Sequence, residues 1–218
     1  MDFSDQGILQ WFAQYAFEPG LVYSAIVILM IMSSFGLPIP EEVTLLSAGI
    51  VCYMGTRPDL YPPPFADAPT VDTMVTCVIC FFAVFLSDFL VFTLGRNFGS
   101  KILGTRLMKR YEKNLGKVER WTRKYGAWAA GVFRFTPGLR FPGHFSCGML
   151  GLSPLKFIAV DGFAALISVP TQVLLIATFG ETILENIKQT KVVLFSALGI
   201  GLLVYLILKY RQRQESTA

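Results

Sequence analysis

Apolar residues in this chain come in long uncharged runs, not in the alternation of a half-buried strand or the narrow stripe of a soluble helix. From Leu21 to Pro40 no charge appears, but Gly36, Pro38 and Pro40 interrupt the run, and Glu41 and Glu42 stand directly before a second uncharged run, Val43 to Thr56. At 1.5 Å per residue each arm is about 20 to 25 Å long, short of the roughly 30 Å hydrocarbon core. Residues 21–56 are therefore expected to form a re-entrant hairpin with Pro38 and Pro40 near its tip, although the first arm is long enough to cross if it starts near Trp11. Residues 57–72, with the string PDLYPPPFADAP, predict an aqueous loop of extended chain. Residues 73–95 predict a transmembrane helix that carries Asp88 near its end.

The pattern then changes. In residues 96–126, Leu103, Leu107, Tyr111, Leu115, Val118, Thr122 and Tyr125 recur at spacings of three and four, the period of an amphipathic helix with a basic face. Such a helix either lies on an anionic leaflet or packs as a solvated helix on its own domain. Residues 127–152 are apolar again, but Arg134, Pro137, Gly138, Arg140, Pro142, Gly143 and His144 break them into two short arms, which predicts a second re-entrant hairpin. Residues 157–180, with Asp161, Pro170 and Gln172, and residues 192–208 predict two further spans. The expected fold is a single all-α membrane domain over 1–218, with three full crossings, two hairpins and a basic amphipathic helix.

Composition agrees, with 53% apolar and 16% charged residues in 218. Charge adds direction. Ten Lys/Arg against Glu112 and Glu119 give the stretch from Arg96 to Lys124 a local +8, and the rest of the chain carries −4. Between apolar segments such a stretch predicts a cytoplasmic loop, as do Lys209, Arg211 and Arg213 after the last span. With both on the cytoplasmic side, the two hairpins must enter from opposite faces, the arrangement of an inverted repeat. No nucleic-acid motif is present. The N-terminus has no basic residue before its first apolar run, so the first hydrophobic segment is expected to stay in the mature protein.

An Arg or Glu in hydrocarbon costs several kcal/mol on insertion scales, so such residues face a cavity or a partner. Arg134 and Arg140 at one tip and Glu41 and Glu42 at the other bring opposite charge. Either they neutralise one another and pin the hairpins together, or the guanidinium groups bind a phosphate while a carboxylate takes up a proton. Either glutamate is able to face inward. Cys52, Cys77, Cys80 and Cys147 fall in apolar runs, and the lone CxxC of Cys77 and Cys80 is expected to be packing. His144 is the single histidine, which argues against His-based phosphoryl transfer and a lipid phosphatase; it is expected to be a hydrogen-bonded hairpin residue sensitive to pH. No metal cluster, cofactor motif or Gly-rich phosphate loop stands out, so neither a catalytic residue nor a cofactor is assigned.

The strings FGLPIPEEVTLLSAG (35–49), SDFLVFTLGRNFG (87–99) and FRFTPGLRFPGHFSCGMLGLSPLKFIAVDG (133–162) resemble the DedA family of bacterial inner-membrane proteins, related to the VTT-domain lipid scramblases of eukaryotes. The resemblance implies two opposed re-entrant hairpins and lipid movement across the membrane. Members are associated with recycling undecaprenyl phosphate, with phospholipid translocation and with the proton-motive force. By position, the family's essential hairpin acid falls on Glu41 or Glu42 and its essential arginines on Arg134 and Arg140. A second acid that some members carry has no counterpart before Asp59, which leaves Asp88 or Asp161 to substitute.

The function expected is translocation of an anionic lipid, foremost undecaprenyl phosphate, with protons as the coupling ion and Pro38, Pro40, Pro137, Gly138, Pro142, Gly143 and His144 supporting the tips. A phospholipid such as phosphatidylethanolamine is the alternative substrate. A scaffold acting through Lys109, Arg110 and Lys113 is the remaining reading. The partners are thus membrane lipids and no nucleic acid, and a homodimer stays open.

Overall fold

The computed structural model describes residues 5–34, 41–102, 112–136 and 139–186. Among these every regular element is helical, and two helices are long and apolar enough to cross a membrane. The chain divides into a compact unit over Met1–Thr178 and a second over Phe179–Ala218, of which a helical stretch at 180–186 is described. The expected span at 192–208 lies outside the described residues, as do Pro38, Pro40, Lys109, Arg110, Pro137 and Gly138.

Helix α1 (Asp5–Tyr15) and helix α2 (Pro19–Ser34) are separate, so the run beginning near Trp11 is not one long first arm. Proline opens α2, where its missing N–H has no intrahelical partner to lose. Helix α3 (Glu41–Gly55) starts on its two glutamates, whose charge suits the positive end of the helix dipole. The Pro-rich loop after it is tied back, the amide of Val71 donating to the Ala16 carbonyl and that of Asp72 to the Tyr23 hydroxyl. Helix α4 (Thr73–Ile102) outruns its expected end at residue 95 by about two turns, so the first basic residues belong to the membrane helix.

Helix α5 (Glu112–Tyr125) is the described part of the amphipathic segment; it ends at Gly126, whose φ of +57° closes the last turn. Helices α6 (Trp128–Arg134) and α7 (Arg140–Met149) follow as two short arms. Pro142, Gly143 and His144 lie inside α7 and not at a tip, because a proline in a helix's first turn surrenders no hydrogen bond. Helix α7 ends in a Schellman turn at Gly151, φ +74°, where Leu152 N–H reaches the Cys147 carbonyl and Gly151 N–H that of Gly148. The freed Leu152 carbonyl accepts from Arg96 Nη1 at 2.8 Å, which holds the end of α4 to this turn. Helix α8 (Pro154–Thr178) completes the unit.

Helix α4 packs against α2, α7 and α8, and α3 packs against α8. The α4–α7 crossing is backbone to backbone: a Cβ on Gly95 would collide with the Phe145 carbonyl, and one on Gly148 with the Phe92 carbonyl. Only glycine permits that approach. Around it Phe92, Val118, Ala129, Ala130, Phe133, Cys147 and Phe157 form the main buried cluster. All four cysteines are buried and free, and the Cys52 thiol donates to Thr76 Oγ1 at 3.3 Å. The outside is apolar too. Met74, Val78, Phe82, Leu86 and Leu90 follow one another every fourth residue along α4, all exposed, and Phe163, Leu166, Ile167, Leu174 and Leu175 are exposed on α8. Water would not tolerate such contiguous apolar stripes, whereas lipid favours them.

Candidate functional site

Beneath those stripes the charged residues of five helices converge. Asp88 of α4 lies two turns before Gly95, on the buried side, where the α4–α7 approach brings it against both arginines. Arg140, the first residue of α7, forks onto it: Nε donates to Oδ1 at 2.9 Å and Nη2 to Oδ2 at 2.6 Å. Arg134, the last residue of α6, forks instead onto Asp161 of α8, Nε to Oδ1 at 3.0 Å and Nη2 to Oδ2 at 3.2 Å. Its Nη2 also pairs with Asp88 Oδ2. Glu41, at the start of α3, pairs with Arg140 Nη1. The order is Asp161, Arg134, Asp88, Arg140, Glu41, with neighbours of alternating sign.

The two ends differ in depth. The side chains of Arg134 and Asp161 are 3% and 0% exposed, those of Arg140 and Glu41 18% and 14%. His144, one turn beyond Arg140 and fully buried, sits against the middle of the row. Its Nδ1 is 3.1 Å from Asp88 Oδ1, and its Nε2 is 3.3 Å from the Ala130 carbonyl and 3.4 Å from Asp161 Oδ1. The Phe157 ring meets the imidazole edge to face at 5.2 Å. Oxygens of Asp88 and Asp161 and a nitrogen of His144 lie within 4.8 Å of one another, a spacing a metal ion fits, yet the cation these carboxylates already share is Arg134.

The expectation that a hairpin glutamate meets the arginines holds for Arg140 and needs correction for Arg134. Only Arg140 meets a hairpin glutamate, and the partners of Arg134 are Asp88 and Asp161, the acids held in reserve from the sequence. Glu42 is exposed, so Glu41 is the inward member of the pair. His144 is not a tip residue but a wall of the charged cluster, and Gly143 lets α7 approach the Phe133 ring of α6 too closely for a side chain. A helical period applied to Arg140 and His144, four residues apart, places both on one face and was the available signal.

The family model for the VTT domain matches residues 39–182. An uncharacterized membrane protein of Haemophilus influenzae is 33% identical over 151 residues, which cover 68% of this chain and 66% of that protein. An inner membrane protein of Borreliella burgdorferi is 25% identical over 204 residues, 89% of this chain and 91% of its own length. An uncharacterized membrane protein of Bacillus subtilis is 25% identical over 146 residues, 66% of this chain and 80% of its own length. No solved structure matches the chain.

Proposed function

We propose that this chain, which belongs to the VTT-domain family of membrane proteins, the DedA family of bacteria, moves an anionic lipid across the bacterial inner membrane by holding its phosphate on Arg140. The observation that carries the reading is the Arg140–Glu41 pair: a guanidinium among apolar helices whose outer partner, Glu41, is the least buried carboxylate of the cluster. A phosphate presents the same planar pair of oxygens as a carboxylate, so it is able to take the place of Glu41 without rebuilding the rest of the row. Asp88 keeps Arg140 aimed throughout. The lipid's hydrocarbon chain runs beside the apolar stripes of α4 and α8.

In this mechanism α2–α3 and α6–α7 act as re-entrant hairpins that enter from opposite faces, with the basic segment at 96–126 on the cytoplasmic side. Exchange of Glu41 for phosphate supplies what switching requires, a ligand whose affinity differs between two arrangements of the hairpins. Undecaprenyl phosphate is the preferred cargo because its single phosphate has no attached headgroup to exclude. The test is flipping of undecaprenyl phosphate by full-length protein in liposomes: wild type is expected to exceed Arg140→Ala by at least about tenfold, the value of one lost charged contact. Equal rates overturn the mechanism. Competition by phosphatidylethanolamine at equal concentration would move the substrate to phospholipid.

A further inference from the structure

Helix α5 turns its apolar stripe toward its own domain. Val118 and Thr122 are buried, and Trp121 packs on the same cluster as Phe92 and Phe133. That side of the helix is closed to lipid, so what α5 offers outward is its cationic side. Between α5 and the turn that joins α7 to α8 lies a cavity of about 420 Å³, bordered by Thr122 and Arg123 on one side and by Leu152, Ser153 and Lys156 on the other. Its volume falls within the range of small-molecule sites.

The polar groups of the cavity select for an anion. Arg123 and Lys156 bring positive charge from two helices, and among the described residues no carboxylate borders the space. Lys156 is exposed and pairs with no acid among those residues. Arg123 donates to Glu119 Oε1 from Nε at 3.1 Å and Nη2 at 2.9 Å, two of the five N–H donors of a guanidinium, which leaves Nη1 for a second anion. The Arg123–Glu119 pair is exposed and contributes little, so Arg123 can shift without loss to the fold. Arg96, whose Nη1 donates to the Leu152 carbonyl, adds a further positive charge beside the same turn. The setting narrows the kind of anion. Helices α4 and α8 are the two long and apolar enough to cross a membrane, and the cavity lies where α4 ends and α8 begins, at the level of lipid headgroups. Leu155, next to Lys156, is strongly exposed, and so are Tyr125 and Trp128 at the end of α5 and the start of α6, side chains suited to the boundary between headgroups and acyl chains. A free phosphate ion would use the cations alone, whereas a phospholipid also covers these apolar neighbours.

We propose that this cavity binds an anionic phospholipid, with the phosphate between Arg123 and Lys156 and the acyl chains along Leu155. Basic pockets at the ends of membrane helices hold acidic headgroups in this way. The site shares no residue with the charged row. The lipid held there is a resident one that fastens α5 to the ends of the membrane helices, and its binding does not depend on transport at Arg140.

Native mass spectrometry of the full-length protein in detergent counts bound lipids, with phosphatidylglycerol as the probe and zwitterionic phosphatidylcholine as the reference. The double variant Arg123→Gln, Lys156→Gln is expected to hold one phosphatidylglycerol fewer than wild type, its affinity for that lipid lowered by at least about tenfold. An unchanged count overturns the proposal. Lys124→Gln removes an exposed cation of the same helix that does not border the cavity, and it is expected to bind like wild type. An equal loss in that variant would mean diffuse attraction to the basic helix and overturns the site. Both altered side chains are exposed, so the double variant is expected to unfold in phosphatidylcholine at the wild-type midpoint, while phosphatidylglycerol raises the midpoint of wild type only. The charge-keeping exchange Arg123→Lys, Lys156→Arg is expected to retain the lipid; its loss there would overturn a site built on charge. Inorganic phosphate at the concentration of the lipid is expected to leave it bound, and displacement would assign the cavity to free phosphate and overturn the lipid reading.

Discussion

Arg134 and Arg140 stand six residues apart, carry the same charge and share the same aspartate, yet they occupy opposite ends of one row of charges. Arg134 is locked between two buried carboxylates at the closed end. Arg140 is forked onto Asp88 as well, but its outer partner is the more exposed Glu41. A buried ion pair contributes little net stability, because desolvation offsets its Coulomb attraction, but removing one partner exposes the full cost of the other. The closed end therefore acts as a structural clamp whose integrity the fold requires. The open end keeps a carboxylate that something else is able to replace, and function belongs there.

The largest effect separates the two arginines. Arg134→Ala removes the guanidinium that Asp161 pairs with and is expected to cost about 3 to 5 kcal/mol of stability, read as a lowered unfolding midpoint in detergent and poor recovery of folded protein. Arg140→Ala, at the exposed end, is expected to stay folded while losing transport; if both variants unfold alike, the distinction between clamp and site collapses.

A smaller effect sharpens the open end. Glu41→Gln removes the carboxylate that competes for Arg140, so an anionic lipid is expected to bind about tenfold more tightly while turnover falls, since release loses its competitor. Weaker binding in that variant would make Glu41 a ligand of the headgroup's surroundings and not its rival. The smallest effect serves as the reference. Glu42→Gln, on an exposed side chain next to Glu41, is expected to change stability by less than about 0.5 kcal/mol and flipping by less than about threefold. A loss equal to that of Glu41 would show that the sequence pair works as a unit.

Much of this was legible in the chain itself. Long, predominantly apolar runs predict membrane helices because backbone groups in lipid must be satisfied within the segment, and the two longest described helices follow the runs expected at 73–95 and 157–180. The breaks at 135–139 and before Glu41 likewise separate the helices found there. The cost of charge in hydrocarbon singled out Arg134, Arg140, Glu41 and Glu42 before any contact was known, whereas Asp88 and Asp161 entered as stand-ins for an acid that the family resemblance implies. Less legible were the ends: α4 runs to Ile102 although basic residues begin at Arg96, since long cationic side chains reach the interface from the last turns of a membrane helix.

The sequence by itself determined which residues had to be inside and that they had to find partners. Only the tertiary structure decided the pairing. Arg134 reaches Asp161 across 27 residues and Asp88 across 46, and Arg140 reaches Asp88 across 52. Such separations are bridged by helix rotation and crossing, which here follow from the contact of Gly95 and Gly148 with opposing backbone. A one-residue turn of α7 would carry His144 about 100° away from the carboxylates, and no local pattern encodes that angle. Pairing of charges in a low-dielectric interior is a property of the assembled row, and so the partners of each arginine became visible only when the helices were in place.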